Sequence, residues 1–520
     1  MKQYIISLIA GLILLTSTSC SESFFDRYPT DATNFDTYCR TVDEVQNVLY
    51  AAYGGMRDQF GISLVYIGDL PTDNAYCYRI VNSTDHITLH ESSVLSGNGI
   101  MGNLWSSSYQ IINRCNLVID NMTEKFPSDS RFNQLVGEAK FLRGLVYYTM
   151  VRVYGGVPIV LHDITDLMGP FEYERKTADE VYAQITEDLN DAITKLPDTY
   201  TVQAQIGRAT KTAAQAILAD SYLMRKNYGQ AKTLYEAIIA KEGANFGLID
   251  GTNYKSIFSA ENVNNKEIIF AIRYAYAQSP SMSNYLMRAS LGNVRGAFIN
   301  PEGYTTSKIY GVNLMMMTTD LATLYEDNDL RRSVVHLGLH DDQYENATYP
   351  SVVVPQTLKY FDYRNITDGR EGNGPESGCP TIISRYADVI LKYAECLNET
   401  DPAAAIVQLK RIRDRAGVET TVNPTKADVA LAIEKERRLE LGLEGHRWFD
   451  LKRTGRLQEV MNPYYARGTA SLSYLPEYIA YCEFGPLQVP AKVEDYEYLF
   501  PIPNAQHLLN PAKLPQNPGY

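Results

Sequence analysis

Residues 210–240 read TKTAAQAILADSYLMRKNYGQAKTLYEAIIA. Two runs with apolar residues at helical spacing flank the turn signal Asn227-Tyr228-Gly229, so the stretch predicts a helical hairpin. Leu218, Ala219 and Tyr222 fall where the first helix of a tetratricopeptide repeat carries Leu, a small residue and Tyr. Ala231 and Tyr235 fall where the second helix carries Ala and an aromatic. Small residues at these places let paired helices approach closely, and the aromatics fill the space between them. A second pair is read at Arg385 to Ala416, with Asp401-Pro402 opening its second helix.

Working outward, Thr41-Val42-Asp43-Glu44 and Thr177-Ala178-Asp179-Glu180 are capping boxes. The first opens an amphipathic stretch through Met56, and the second a helix ending near Leu196-Pro197. Leu104 to Met122 and Gln134 to Tyr154 carry helical periodicity, and Gly155-Gly156-Val157-Pro158 stops the latter. The fold class is therefore mainly α: a tetratricopeptide-like helical repeat scaffold over approximately 41–242 and 384–456. Residues 245–380 change character. Glu267 to Tyr276 reads as a strand, and Gly, Asn, Pro and Tyr dominate afterwards. This is a long, irregular, loop-rich insertion, and long loops on rigid scaffolds tend to carry binding function. Residues 457–520 are Pro- and Tyr-rich with little helical period.

The chain has 520 residues, with 48 Lys+Arg against 61 Asp+Glu and a formal net charge of −13. There is no basic stripe, which argues against nucleic acid as a partner. At 45% hydrophobic and 21% charged it is not a disordered chain. Seven cysteines include no C-x-x-C pair, so neither a zinc ribbon nor a thioredoxin motif is present. Lys2, the apolar run Ile5 to Leu15 and the small residues Thr16 to Ser19 read as a signal peptide, residues 1–19, ahead of Cys20. A cysteine at that place predicts acylation, giving a soluble but tethered mature chain; ordinary cleavage near Ser19 is the competing reading.

Several motifs lead nowhere. Gly97-Asn98-Gly99-Ile100-Met101-Gly102 matches a dinucleotide fingerprint but lacks a preceding buried strand, and is read as a flexible loop. His86/His90 and His336/His340 have metal-ligand spacing without the accompanying Glu, and are read as solvated loop histidines, so no metal or cofactor is assigned. Neither a G-x-S-x-G elbow nor an H-E-x-x-H helix occurs, and nothing forces catalysis.

The block 433–456, IEKERRLELGLEGHRWFDLKRTGR, reads as a charge network that fixes register, with Trp448 as a core anchor. Glu436-Arg437-Arg438, Glu440-Leu441, Glu444-Gly445, Arg447-Trp448, Asp450-Leu451 and Arg453 resemble the signature of the SusD/RagB family, outer-membrane lipoproteins of Bacteroidetes. Glu138 to Arg143 with Gly155 to Pro158, Arg385 to Asp388 with Tyr393 to Glu395, and the ending Ile502-Pro503 through Asn510-Pro511 to Gln516-Asn517-Pro518-Gly519-Tyr520 agree in order. The resemblance implies a single SusD-like domain over 20–520, with about four helix pairs supporting an irregular ligand face. It implies a non-enzymatic protein, lipid-anchored at Cys20 in the outer membrane and facing the exterior. Such a protein captures oligo- or polysaccharide and sits as a lid over a SusC-like TonB-dependent transporter. Its ligand face would draw on Asp69 to Asn103 and roughly Tyr274 to Tyr349: Asp73, Tyr76, Tyr78, Arg79 and Asn98 from the first, Tyr274, Tyr276 and Tyr304 from the second. Sugar recognition sets flat aromatic rings against pyranose faces and planar polar groups against hydroxyls. With 39 Tyr against 2 Trp, and Trp105 and Trp448 both assigned to packing, no tryptophan remains to stack on starch. The same lid role for peptides or another nutrient, and a surface hydrolase, are the alternatives.

Overall fold

The computed structural model describes residues 39–77, 83–164, 173–275, 286, 294–299, 305–309, 314–340, 352–362, 364, 377–469 and 492–520. Cys20 and the stretch before it lie outside them. Helix α1 (Val42–Gly55) runs through a π turn (Met56–Phe60) into α2 (Gly61–Asp69), and strand β1 (Ala75–Tyr76) and the short α3 (Thr84–His90) follow. Next come α4 (Gly99–Lys125), α5 (Phe132–Tyr154), α6 (Ala178–Lys195), α7 (Lys211–Met224) and α8 (Tyr228–Ile239). After the insertion, α10 (Tyr386–Asn398), α11 (Pro402–Ala416), α12 (Lys426–Leu441), α13 (Arg447–Thr454) and α14 (Leu457–Thr469) complete the helical part, with α15 (Asn504–His507) near the end. Four pairs stack in order: α1 with α4, α5 with α6, α7 with α8, and α10 with α11, each pair packed on the next.

Local chemistry sets the starts and stops. Thr41 and Glu44 cap α1 reciprocally, and Thr177 and Glu180 do the same for α6. Asp401 caps α11, Pro402 occupies its first turn, and Gly417 ends it with φ +75°. In the α7–α8 seam Leu218, Ala219, Ala231 and Tyr235 are buried, and the Tyr235 hydroxyl donates to Asp220 Oδ1 at 2.6 Å. Burying a side chain such as Leu218 contributes roughly 1.5–3 kcal/mol.

The described parts of the insertion hold more regular structure than its composition predicts. Strand β2 (Ile268–Ile272) pairs antiparallel with β8 (Thr381–Arg385), so the predicted strand at 267–276 closes the insertion against its far end. β3 (Val294–Ile299) pairs with β4 (Thr305–Ile309), β1 with β5 (Met316–Met317), and β6 (Val335–His340) with β7 (Val352–Thr357). The short α9 (Thr319–Ala322) follows β5.

Three sequence readings need correction. The glycine-rich stretch 97–102 is a helix start, because the Asn98 side chain accepts from the N–H groups of Ile100 and Met101 and caps α4. His86 and His90 lie on α3, and their rings are engaged: His86 meets Tyr66 edge-on at 4.7 Å, and His90 Nδ1 lies 3.4 Å from the Leu70 carbonyl. Part of the Pro- and Tyr-rich ending is helix α14 despite Pro463 inside it; burial of Leu457, Met461, Tyr464 and Tyr465 offsets the lost backbone bond.

Candidate functional site: a braced platform where two distant stretches meet

The two stretches expected to carry the ligand face converge. In the β1–β5 ladder Ala75 stands opposite Met317 and Tyr76 opposite Met316. Beside it the Thr318 N–H donates to the Asn74 carbonyl at 3.0 Å and Thr318 Oγ1 to the Asp73 carbonyl at 2.7 Å.

The signature block holds the platform from below. Arg447 donates to both Asp73 carboxylate oxygens, at 2.8 and 3.0 Å, and Arg438 lies 3.1 Å from one of them. Arg438 also donates to the Asn74 side chain at 2.9 Å. Burial alone would push the Asp73 carboxyl up; the two guanidiniums outweigh it and bring it down to about 2. Asp69, at the end of α2, accepts from Asn74 Nδ2 at 2.8 Å and from the Gly445 N–H at 2.5 Å. Burial pushes Asp69 up to about 6, outweighing the hydrogen bonds from Asn74 and Gly445. The backbones cross here so closely that a Cβ on Gly68 would lie 2.1 Å from the Gly445 carbonyl oxygen. Gly445 itself has φ +85°, so glycine is required on both sides of the crossing.

The other face of α12 carries a buried charge network. Glu440 faces Arg385 at 2.6 Å, Arg331 at 3.1 Å and Arg415, and Glu436 faces Arg331 at 2.6 Å and Arg413 at 2.8 Å. Glu444 accepts from Arg385 and from Lys359, whose ammonium also caps the carbonyls of Glu440 and Gly442 at the end of α12. Burial opposes ionisation of Glu440, but Arg415, Arg385 and Arg331 hold its carboxyl well below the usual range. Arg331 and Lys359 come from the insertion and Arg385 from the end of β8, so the network ties the insertion to the helical stack. The block thus acts as the register-fixing network read from the sequence, and Trp448 is fully buried against Phe500, 5.2 Å between ring centres.

The expected ligand residues divide. Asp73 has both oxygens taken by arginine. Tyr76 is buried in the β1–β5 ladder. Asn98 spends its oxygen on the α4 cap and its amide N–H groups on the Asp85 carbonyl and Thr88. Asp73 and Tyr76 belong to the platform and Asn98 to the start of α4, and all three are buried, which counts against the direct ligand contact expected of them. Tyr274 is half-buried just after β2, its hydroxyl 3.3 Å from Thr381 Oγ1. Tyr78, Arg79, Tyr276 and Tyr304 lie outside the described residues. Sequence reasoning gave Arg438 and Arg447 a pairing role without identifying Asp73 as their partner, and missed Thr318. Nothing local signals these contacts, which join residues more than 240 positions apart.

Comparison with known proteins agrees with this architecture. Residues 337–520 match the model of the SusD family, and residues 24–223 match a SusD-like model described as starch-binding associating with outer membrane. A SusD-like protein P2 of Formosa agariphila is 27% identical, with both chains covered in full. Among solved structures, a laminarin binding SusD-like protein superposes with a TM-score of 0.73 at 24% identity, covering 92% of this chain and 99% of that one. Surface glycan-binding protein A from Bacteroides fluxus gives 0.72 at 22% identity, covering 92% and 100%. At these identities the superpositions speak to the fold.

Proposed function

The chain belongs to the SusD/RagB family, and from that membership we propose that it captures oligo- or polysaccharide at the cell surface and passes it to a SusC-like TonB-dependent outer-membrane transporter. The observation that carries this reading is the convergence of the two loop-bearing stretches on one platform held by Arg438 and Arg447. A site fixed this way is preformed, as binding of a flexible glycan favours, because little ordering cost falls on the protein. The family description and the glycan-binding names of the fold relatives support a carbohydrate ligand. In this reading Cys20 is the acylated first residue of a single domain over 20–520, and the protein faces the exterior. Tyr274, with Tyr78, Arg79, Tyr276 and Tyr304, supplies ligand contacts, and the protein binds without turnover.

Isothermal calorimetry of the purified mature chain against polysaccharides tests capture. Heat with at least one glycan and none with oligopeptides is the expected result; the reverse pattern transfers the same lid role to peptides. That second reading draws on one observation, that Trp448 is fully buried and Trp105 only 4% exposed, which leaves no broad indole face for stacking on starch. Loss of the platform brace in Arg447→Ala is expected to weaken glycan binding. Co-purification of a large barrel protein from detergent-solubilised outer membrane tests the partnership, and its absence from the intact complex removes it.

A further inference from the structure

A cleft of about 420 Å³ lies between α4, the segment after α5 and the segment around α15. It shares no lining residue with the β1–β5 platform. Trp105 and Tyr109, one helical turn apart on α4, form its aromatic wall with Tyr173. Their rings are fixed: Trp105 packs 5.2 Å from both Tyr109 and Tyr154, and the Tyr109 hydroxyl donates to the Pro158 carbonyl at 2.8 Å. Asn113, the next turn on, accepts from the Ile164 N–H at 3.2 Å and holds the opposite lip.

The polar lining is what distinguishes this cleft. Ser106, Gln110 and Gln506 face it, and among the described residues no protein hydrogen bond engages their side chains, the Tyr173 hydroxyl or the indole N–H of Trp105. Trp105 is 4% exposed, so its ring is a fixed part of the wall. Among the described residues no lining residue is charged, although 21% of the chain is. An uncharged cleft with rigid aromatic walls and amides that both donate and accept matches a neutral polyhydroxylated ring. The volume falls at the small end of ligand sites and has room for one or two sugar rings.

We propose that this cleft is a second saccharide subsite, taking one or two neutral pyranose units through Trp105, Tyr109, Gln110 and Gln506. The inference rests on the glycan-binding reading above and adds a place where the same chain could be gripped twice, which raises avidity without new affinity at either site. Trp105, Tyr109 and Asn113 recur at i, i+4 and i+8 along α4, with Ser106 and Gln110 beside them.

The two tryptophans make the test direct. Labelling the full mature chain with 5-fluorotryptophan gives two fluorine resonances, Trp105 in the cleft wall and Trp448 in the core as internal reference. The probes are neutral malto-, laminari-, cello-, xylo- and mannohexaose, with a proline-rich decapeptide as the contrasting ligand. The expected result is a saturable shift of the Trp105 resonance alone with an oligosaccharide that also gives calorimetric heat. In Gln110→Ala/Gln506→Ala the concentration needed for that shift rises by about tenfold, while calorimetric binding of polysaccharide persists. Heat without a Trp105 shift, or a shift unchanged in the double variant, overturns the subsite and leaves the glycan-binding reading standing. A shift with the peptide alone overturns the saccharide assignment. Neither heat nor shift with any saccharide overturns both.

Discussion

The α7–α8 seam and the α12–α13 block solve the same problem in different ways. Both fix helices against neighbours in the core. The seam relies on Leu218, Ala219 and Ala231, buried apolar residues whose attraction is non-directional and whose small size sets the approach. The block buries glutamates, arginines and a lysine that hold only if each charge meets its partner. The seam tolerates substitution of similar volume, whereas the block specifies an arrangement. The lesson lies in where each is used. In the α7–α8 seam apolar residues join neighbouring helices, and the charge network of α12 sits where a helix must hold segments from a distant part of the chain.

The sharpest way to break this contrast is Glu440→Gln, which leaves Arg331, Arg385 and Arg415 without the carboxylate they share. A loss of about 3–5 kcal/mol is expected, read from urea denaturation followed by circular dichroism; a loss below about 1 kcal/mol would mean the network is not what secures the insertion. Acid should separate the regions next. The folded Asp73 carboxyl sits at about 2, below its unfolded value near 4, so its contribution is present above pH 4 and is lost as pH falls toward 2. That amounts to on the order of 2 kcal/mol. Asp69, raised to about 6, works in the opposite sense: its contribution is complete below pH 4 and declines as pH rises toward 6. Asp69→Asn should therefore flatten the stability profile between pH 4 and 6, measured by denaturation at a series of pH values, while leaving the acid limb below pH 4 in place. A smaller effect, about 1.5 kcal/mol, is expected for Tyr235→Phe, the one hydroxyl-to-carboxylate contact described in the seam, because Lys392 still satisfies Asp220 at 2.6 Å. Smallest is Thr177→Ala, where loss of the α6 cap should cost about 1 kcal/mol, visible as a few degrees in thermal melts.

What could be read from the sequence follows this division. Helix pairs were legible because their determinants are local: Thr41 with Glu44, Thr177 with Glu180, and Asp401-Pro402 mark starts within three residues of the groups they satisfy. Helix α4 was read as starting at Leu104 because Gly99 and Gly102 disguised a start that the Asn98 cap secures. The site was much less legible. Asp73 and Tyr76 are polar residues soon after a helix, which is how ligand residues look. Their burial is decided by Arg447 and Met316, on other parts of the chain. Pairings such as Arg331 with Glu436 join residues 105 positions apart and leave no periodic trace.

Two thiols carry a consequence for how the folded chain opens. Cys115 on α4 and Cys396 on α10 are buried, and desolvation pushes both up to about 12, so neither offers thiolate while its surroundings stay closed. They sit in the first and last helix pairs of the stack. Each therefore acts as a clock for its own end: the rate at which an alkylating reagent captures it reports how often that end breathes. If the two clocks run together, the stack opens as one cooperative body. If Cys115 is captured first, the end carrying the proposed subsite loosens while the charge-braced end stays shut.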